Sequence, residues 1–199
     1  TLSLPSAWTN DANCAALGEL AQRSNISDLV MLTLGTGVGA GIVVNKKILT
    51  GRGFAGEAGH LHVQAEGELC GCGRRGCLET VFSKIGLERE IKSVFKGPQV
   101  ESAHPNSTVH DLPSLFAAAE QESHPQHESA MKIMDKSMDA FAIGISNILT
   151  LLDPEVLVLA GGLTNSGEFI LKELPKHLAT RVQYPGYSLP PIEISNLGD

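Results

Sequence analysis

Three cysteines within eight residues, Cys70, Cys72 and Cys77 in the string CGCGRRGC, constrain this chain more than any other feature. A Cys-x-Cys spacing is poor geometry for neighbouring disulfides, and a trio would leave one thiol over. The same spacing suits thiolates that grip a single metal ion, because the interleaved glycines let the loop wrap it. A tetrahedral site needs a fourth donor, and His60 stands ten residues before Cys70, with His62 as its rival. His62 falls where strand alternation puts it on an exposed face. The expected site is therefore Cys3His zinc, held by His60, Cys70, Cys72 and Cys77. Zn2+ is closed-shell, so its expected role is structural. Reduced thiols in this pattern point to a reducing compartment, the cytoplasm. Cys14, in the first predicted helix, reads as a small buried side chain.

What surrounds the cluster must fold around it, and the chain has the means. Its 199 residues correspond to one domain, or one and a half, with enough length for a real core. Hydrophobic residues at 42% with 19% charged and 5% aromatic exclude a disordered tail, a coiled coil and a disulfide mini-protein. No apolar run approaches the roughly 20 residues of a membrane span. A net charge of −7, with only 15 Lys and Arg, argues against a nucleic-acid surface, which needs cations to displace counterions.

The periodicity predicts an α/β order. Residues 12–23 read as a helix with Asn10 or Asp11 as N-cap. Residues 28–34 (DLVMLTL) read as a buried strand, followed by the glycine-rich LGTGVGAGI and a second strand at 42–45. Asn45-Lys46-Lys47 reads as a hairpin turn into a third strand at 48–50. Such immediate succession predicts adjacent antiparallel strands. Residues 80–95 return to a helical pattern, 96–114 read as a surface loop, and 130–152 form the longest helix. In that helix Met134, Met138, Phe141, Ile145, Ile148 and Leu152 share one apolar, core-packing face. A strand at 155–160, Gly161-Gly162, a helix at 168–180 and a strand near 192–194 complete the order.

Glycine supplies 21 of the 199 residues, above the roughly 7% that is usual, and most of the excess lies between Gly35 and Gly76. LGTGVGAGI lacks the Lys of a Walker loop and opens a strand instead of the helix of a dinucleotide fingerprint. Its backbone N–H groups suit a phosphate, and a plain glycine-rich hairpin explains the string equally well. Glu57 and Glu79 bracket the cysteine loop, so a metal that ties the loop would bring the two carboxylates together, able to accept hydrogen bonds from a polyhydroxylated ligand. Solvated surface carboxylates explain the pair equally well. Asp11, taken alone, reads as a helix-terminal carboxylate.

In this order, NDANCAALGE, LGTGVGAGI, GEAGH, CGCGRRGCLE and VLAGG resemble the ROK family (repressors, open reading frames and sugar kinases). The resemblance implies an actin-like, ribonuclease-H-like ATPase fold with a mixed sheet and two domains closing over sugar and ATP. It implies Asp11 as general base toward the sugar hydroxyl, with Asn10 helping to hold the sugar. Glu57, His60 and Glu79 would bind sugar hydroxyls, and His60 would also bind zinc with Cys70, Cys72 and Cys77, in a loop over residues 60–77. Gly35, Thr36 and Gly37 would face the phosphates of ATP with its Mg2+, and Gly161 and Gly162 the adenosine. Family members are commonly homodimers. They begin with a smaller domain carrying a DxGGT-type phosphate loop, a string absent here, and continue with a helix after LGD. The chain is therefore expected to be the larger, C-terminal domain, residues 1–199, of a hexose or N-acetylhexosamine kinase acting at the 6-hydroxyl. As an isolated fragment it is expected to be inactive. The competing expectation is the sugar-sensing domain of a transcriptional repressor.

Overall fold

The computed structural model describes residues 9–95 and 109–197. Helix α1 spans Asp11–Ala21, with Asn10 as its N-cap accepting a 2.8 Å hydrogen bond from the Asn13 amide. Strands β1 (Leu29–Leu34), β2 (Val38–Val44) and β3 (Lys47–Ile48) follow. The second strand thus starts inside the glycine-rich string, earlier than residue 42. Asn45 and Lys46, both at positive φ, form the two-residue turn into β3. After the cysteine loop come α2 (Lys84–Phe95), α3 (Leu112–Glu120), α4 (His127–Leu152), β4 (Val156–Ala160), α5 (Gly167–Leu178) and β5 (Ile192–Ile194). Most of the segment read as a surface loop at 96–114 lies outside the described residues. Its end is already helix: Asp111 caps α3 in a reciprocal capping box with Ser114, and Pro113 sits in the first turn, where no amide is needed.

The sheet order is β3-β2-β1-β4-β5, with β2 antiparallel to both its neighbours and the other pairings parallel. Alternation along β1 sends Val30, Leu32 and Leu34 into a large core with helices α2 to α5, while Leu29 and Met31 face α1. The long helix α4 buries Met134, Met138, Phe141, Ile145 and Ile148, as its periodicity predicts. Asp153 ends it in the left-handed conformation just before Pro154.

Two contacts fix what matters for the site. First, α1 lies directly on strand backbone: a Cβ on Gly41 would sit 2.4 Å from the Ala12 carbonyl and 2.5 Å from Ala16 Cβ. Glycine weakens a strand in general, and here its purpose is that close approach. Ala12 and Ala16 therefore form the part of α1 that meets the strand, and Cys14 and Leu17 are exposed. This corrects the reading of Cys14 as buried. Second, the end of the cysteine loop is bolted to α4. Leu78 is fully buried against Gly144, and Phe82 stacks on Phe141 with ring centroids 4.2 Å apart. Burying a side chain such as Leu78 contributes about 1.5–3 kcal/mol.

Candidate functional site

The cysteine loop is a narrow ribbon folded back on itself. Its backbone closes through Val63 N–H to Gly76 O (2.8 Å), Cys70 N–H to Arg74 O (2.8 Å) and Leu78 N–H to Leu61 O (2.8 Å). Gly76, at φ +73°, passes so close to Gln64 that any Cβ would strike its carbonyl. The fold-back gathers donor atoms of His60, Cys70, Cys72 and Cys77 within 4.8 Å of one another. Cys72 Sγ and Cys77 Sγ are 3.6 Å apart, and Cys70 Sγ is 3.5 Å from His60 Nδ1. A tetrahedron with ordinary Zn–S and Zn–N bonds has edges of about 3.5–3.8 Å. The residues present fit zinc. His62 pairs with Cys77 through backbone only, and its side chain is exposed and outside the cluster.

The thiols differ in environment. Burial pushes Cys70 up to about 12, while the Arg74 backbone amide and side chain hold Cys72 down at about 6. The Cys70 thiol donates to Glu79 Oε1 at 2.9 Å, and that oxygen lies 3.5 Å from His60 Nδ1. His60 Nε2 points the other way, 4.0 Å from Glu57 Oε2. His60 thus presents one ring nitrogen to the sulfurs and the other to a half-exposed carboxylate. Glu57, His60 and Glu79 form one partly exposed polar group.

The turn before β2, and β2 itself, link this group to α1. A Cβ on Gly37 would lie 2.9 Å from Glu79 Oε2, and one on Gly39 would lie 3.2 Å from Ala12 Cβ. Residues two apart share a strand face and are separated by about 7 Å. The backbone that touches Glu79 at Gly37 thus touches α1 two residues later, at Ala12, next to Asn10 and the exposed Asp11. Asp11 is the first helical residue, and its Oδ1 accepts from the Ala12 amide at 2.9 Å.

On the other side of the same turn, Gly35 and Thr36 line an open cleft of about 1000 Å³. Its far wall is the start of α5 and the short helical segment Gly162–Ser166. Gly35 and Gly162 both face open space, with nothing within 4 Å of an added Cβ. Gly161 differs from its neighbour. At φ +92° its Cβ would meet the Leu34 carbonyl at 2.7 Å, so this glycine is demanded by strand packing. Gly37 likewise turns to Glu79 and is not part of the cleft wall. The motif reading missed Lys84, Asp111 and Phe116, which also line the cleft. They come from separate elements with no shared motif, and the Asp111-x-x-Ser114 capping pattern was the available signal for the start of α3. The Ser114 hydroxyl and amide hold the Asp111 carboxyl below the usual carboxylate range.

These two kinds of glycine separate in an experiment. Gly35→Ala is expected to leave the melting temperature within about 2 °C while narrowing the cleft. Gly161→Ala is expected to destabilise by about 1–3 kcal/mol, because the left-handed backbone and the Leu34 carbonyl both oppose a side chain. Thermal melts of the two variants check this, and equal stability would contradict it.

The family model described as "ROK family" matches residues 1–198. The chain is 36% identical over 194 residues to a protein named glucokinase from Halalkalibacterium halodurans, covering 94% of this chain and 56% of that one. It is 31% identical over 202 residues to the xylose repressor of Caldicellulosiruptor bescii, covering 99% of this chain and 50% of that one. It superposes on a ROK family glucokinase from Streptomyces griseus, solved with glucose and AMPPNP, at a TM-score of 0.76 and 28% identity, covering 99% of this chain and 65% of that one. The chain spans about half the length of the curated relatives it matches. Its mixed α/β sheet is that of the ROK sugar kinase structures, of the actin-like ATPase class. The glycine-packed α1, the gathered His and Cys donors and the match along the whole described chain lead to one assignment: the chain belongs to the ROK family.

Proposed function

We propose that residues 1–199 form the larger, C-terminal domain of a cytoplasmic, homodimeric sugar kinase. It transfers the γ-phosphoryl group of Mg2+-ATP to the 6-hydroxyl of a hexose or N-acetylhexosamine. The observation that carries this reading is the turn Gly35–Gly37, which has Glu79 on one side and the open cleft on the other. A sugar held by Glu57, His60 and Glu79 and a nucleotide in the cleft then meet across a single turn. Phosphoryl transfer depends on that kind of positioning more than on covalent chemistry by the protein.

In this reading Asp11 accepts the proton of the attacking hydroxyl, and Asn10, fixed as N-cap, helps to hold the sugar. Gly35 and Thr36 face the phosphates and Gly162 the adenosine, while Gly37 and Gly161, set against Glu79 and Leu34, hold the two turns in place. Zinc on His60, Cys70, Cys72 and Cys77 supplies rigidity to the loop. The chain's own contribution there is to aim His60 Nε2 outward, toward Glu57 and the sugar.

The test is a coupled ADP-release assay on the full-length protein that carries this domain, against a panel of hexoses and N-acetylhexosamines. Turnover on one of them is expected. The isolated 199-residue chain is expected to bind sugar weakly at best and to release no ADP, since it contains no DxGGT loop; robust turnover by it would refute the domain assignment. The match to a xylose repressor supports a second reading, a sugar-sensing domain. Sugar binding without turnover by the full-length protein would favour it.

A further inference from the structure

The walls of the cleft carry their charges unevenly. Four carboxylates line it, those of Glu88, Asp111, Glu120 and Glu168, and among the described lining residues Lys84 is the sole cation. Glu120 and Asp111 flank α3, and Glu168 lies in the first turn of α5. Lys84 comes from a different element, as the first residue of α2. Its backbone amide donates to the Gly35 carbonyl at 2.9 Å, which pins it beside the Gly35-Thr36 turn. Its side chain is 57% exposed, and the ion pair it makes with Glu88, one helical turn on, is loose at 4.0 Å. A pair that exposed and long costs little to open. The walls that α3 and α5 supply also carry the apolar side chains of Phe116 and Leu171.

The geometry points to Lys84 as the residue that binds the nucleotide's polyphosphate, and to the one-sided charge of the cleft as what sets the nucleotide's direction. This inference rests on the kinase reading. The phosphates lie at the Gly35-Thr36-Lys84 end, next to the turn shared with the sugar group. The base lies toward Phe116 and Leu171. A reversed nucleotide would bring its phosphates against Asp111, Glu120 and Glu168, which repel them. Lys84 is a flexible point charge on a fixed backbone position, suited to following a phosphate chain.

The test is calorimetric titration of the 199-residue chain, and of its Lys84→Met and Lys84→Arg variants, with adenosine, AMP, ADP and ATP, without added Mg2+. In the unsubstituted chain affinity is expected to rise along that series. Lys84→Met is expected to weaken ATP and ADP binding roughly tenfold or more, the worth of one charge-assisted hydrogen bond, and to leave adenosine unchanged. Lys84→Arg is expected to restore most of the loss. Because the side chain is exposed, the melting temperatures of all three are expected to agree. An unchanged ATP-to-adenosine ratio in Lys84→Met would overturn the role of Lys84 while leaving the nucleotide cleft intact. No nucleotide bound by the unsubstituted chain would overturn the cleft reading itself, and this inference with it.

Discussion

Asp11→Asn is expected to lower the turnover of the full-length protein by about 100- to 10,000-fold, the usual contribution of a positioned general base. Sugar affinity should fall far less, because an amide oxygen still accepts hydrogen bonds and the side chain keeps its shape. The fold should survive for a local reason. The contact Asp11 makes with its own helix is the 2.9 Å bond from the Ala12 amide to Oδ1, which asparagine reproduces. Losing a negative charge from the first turn of a helix costs about 0.3–1 kcal/mol, small against a typical domain stability. A kcat collapse with KM for sugar nearly constant is the signature of a group that acts in the transition state. A variant retaining full kcat would remove Asp11 from the chemistry and leave it as a capping residue.

Cys77→Ser carries the second large effect. Cys77 is buried, its Sγ lies 3.6 Å from Cys72 Sγ, and it begins the segment that packs on α4. A serine hydroxyl is a poor zinc ligand and leaves three donors. The native protein is expected to hold one zinc per chain by native mass spectrometry, and the variant close to none. The melting temperature should fall on the order of 10 °C, as follows from losing about 3–4 kcal/mol in a chain of this size. Amide exchange across residues 60–79 should rise at the same time, and sugar affinity should drop because His60 and Glu79 lose their support. A chelator should reproduce these changes in the native protein and add little in the variant. Equal melting temperatures with no zinc in either protein would show that the thiols stand alone.

How much of this was legible in the sequence depends on the kind of signal. The cysteine loop was legible because ligand spacing is local, and the loop needs only its own residues to close. Helix α4 was legible because Met134, Met138, Phe141 and Ile145 repeat on one apolar face. The first helix was read less well. Cys14 reads as part of its buried side, yet Ala12 and Ala16 are what meet the sheet, because Gly39 and Gly41 leave no room for anything larger. Small-on-small packing leaves no mark on a hydrophobicity pattern. The four glycines named for nucleotide contact also look alike in sequence. Their neighbours in space separate Gly35 and Gly162, which face the cleft, from Gly161, which serves the backbone of β1, and Gly37, which serves Glu79. The cleft itself was least visible: Lys84, Asp111 and Glu168 converge only after α2, α3 and α5 have packed on one face of the sheet.

Resting α1 on bare strand backbone has a mechanical result. No side-chain rotamers intervene between Ala12 and Gly41, so nothing at that contact can act as a spring. Asp11 inherits the stiffness of β2 instead of the softer average of a side-chain core. Repacking the opposite face of the sheet, where α2 to α5 lie, would then retune stability with little displacement of the carboxylate. Alignment and robustness are assigned to different faces of one sheet, and each can drift without the other.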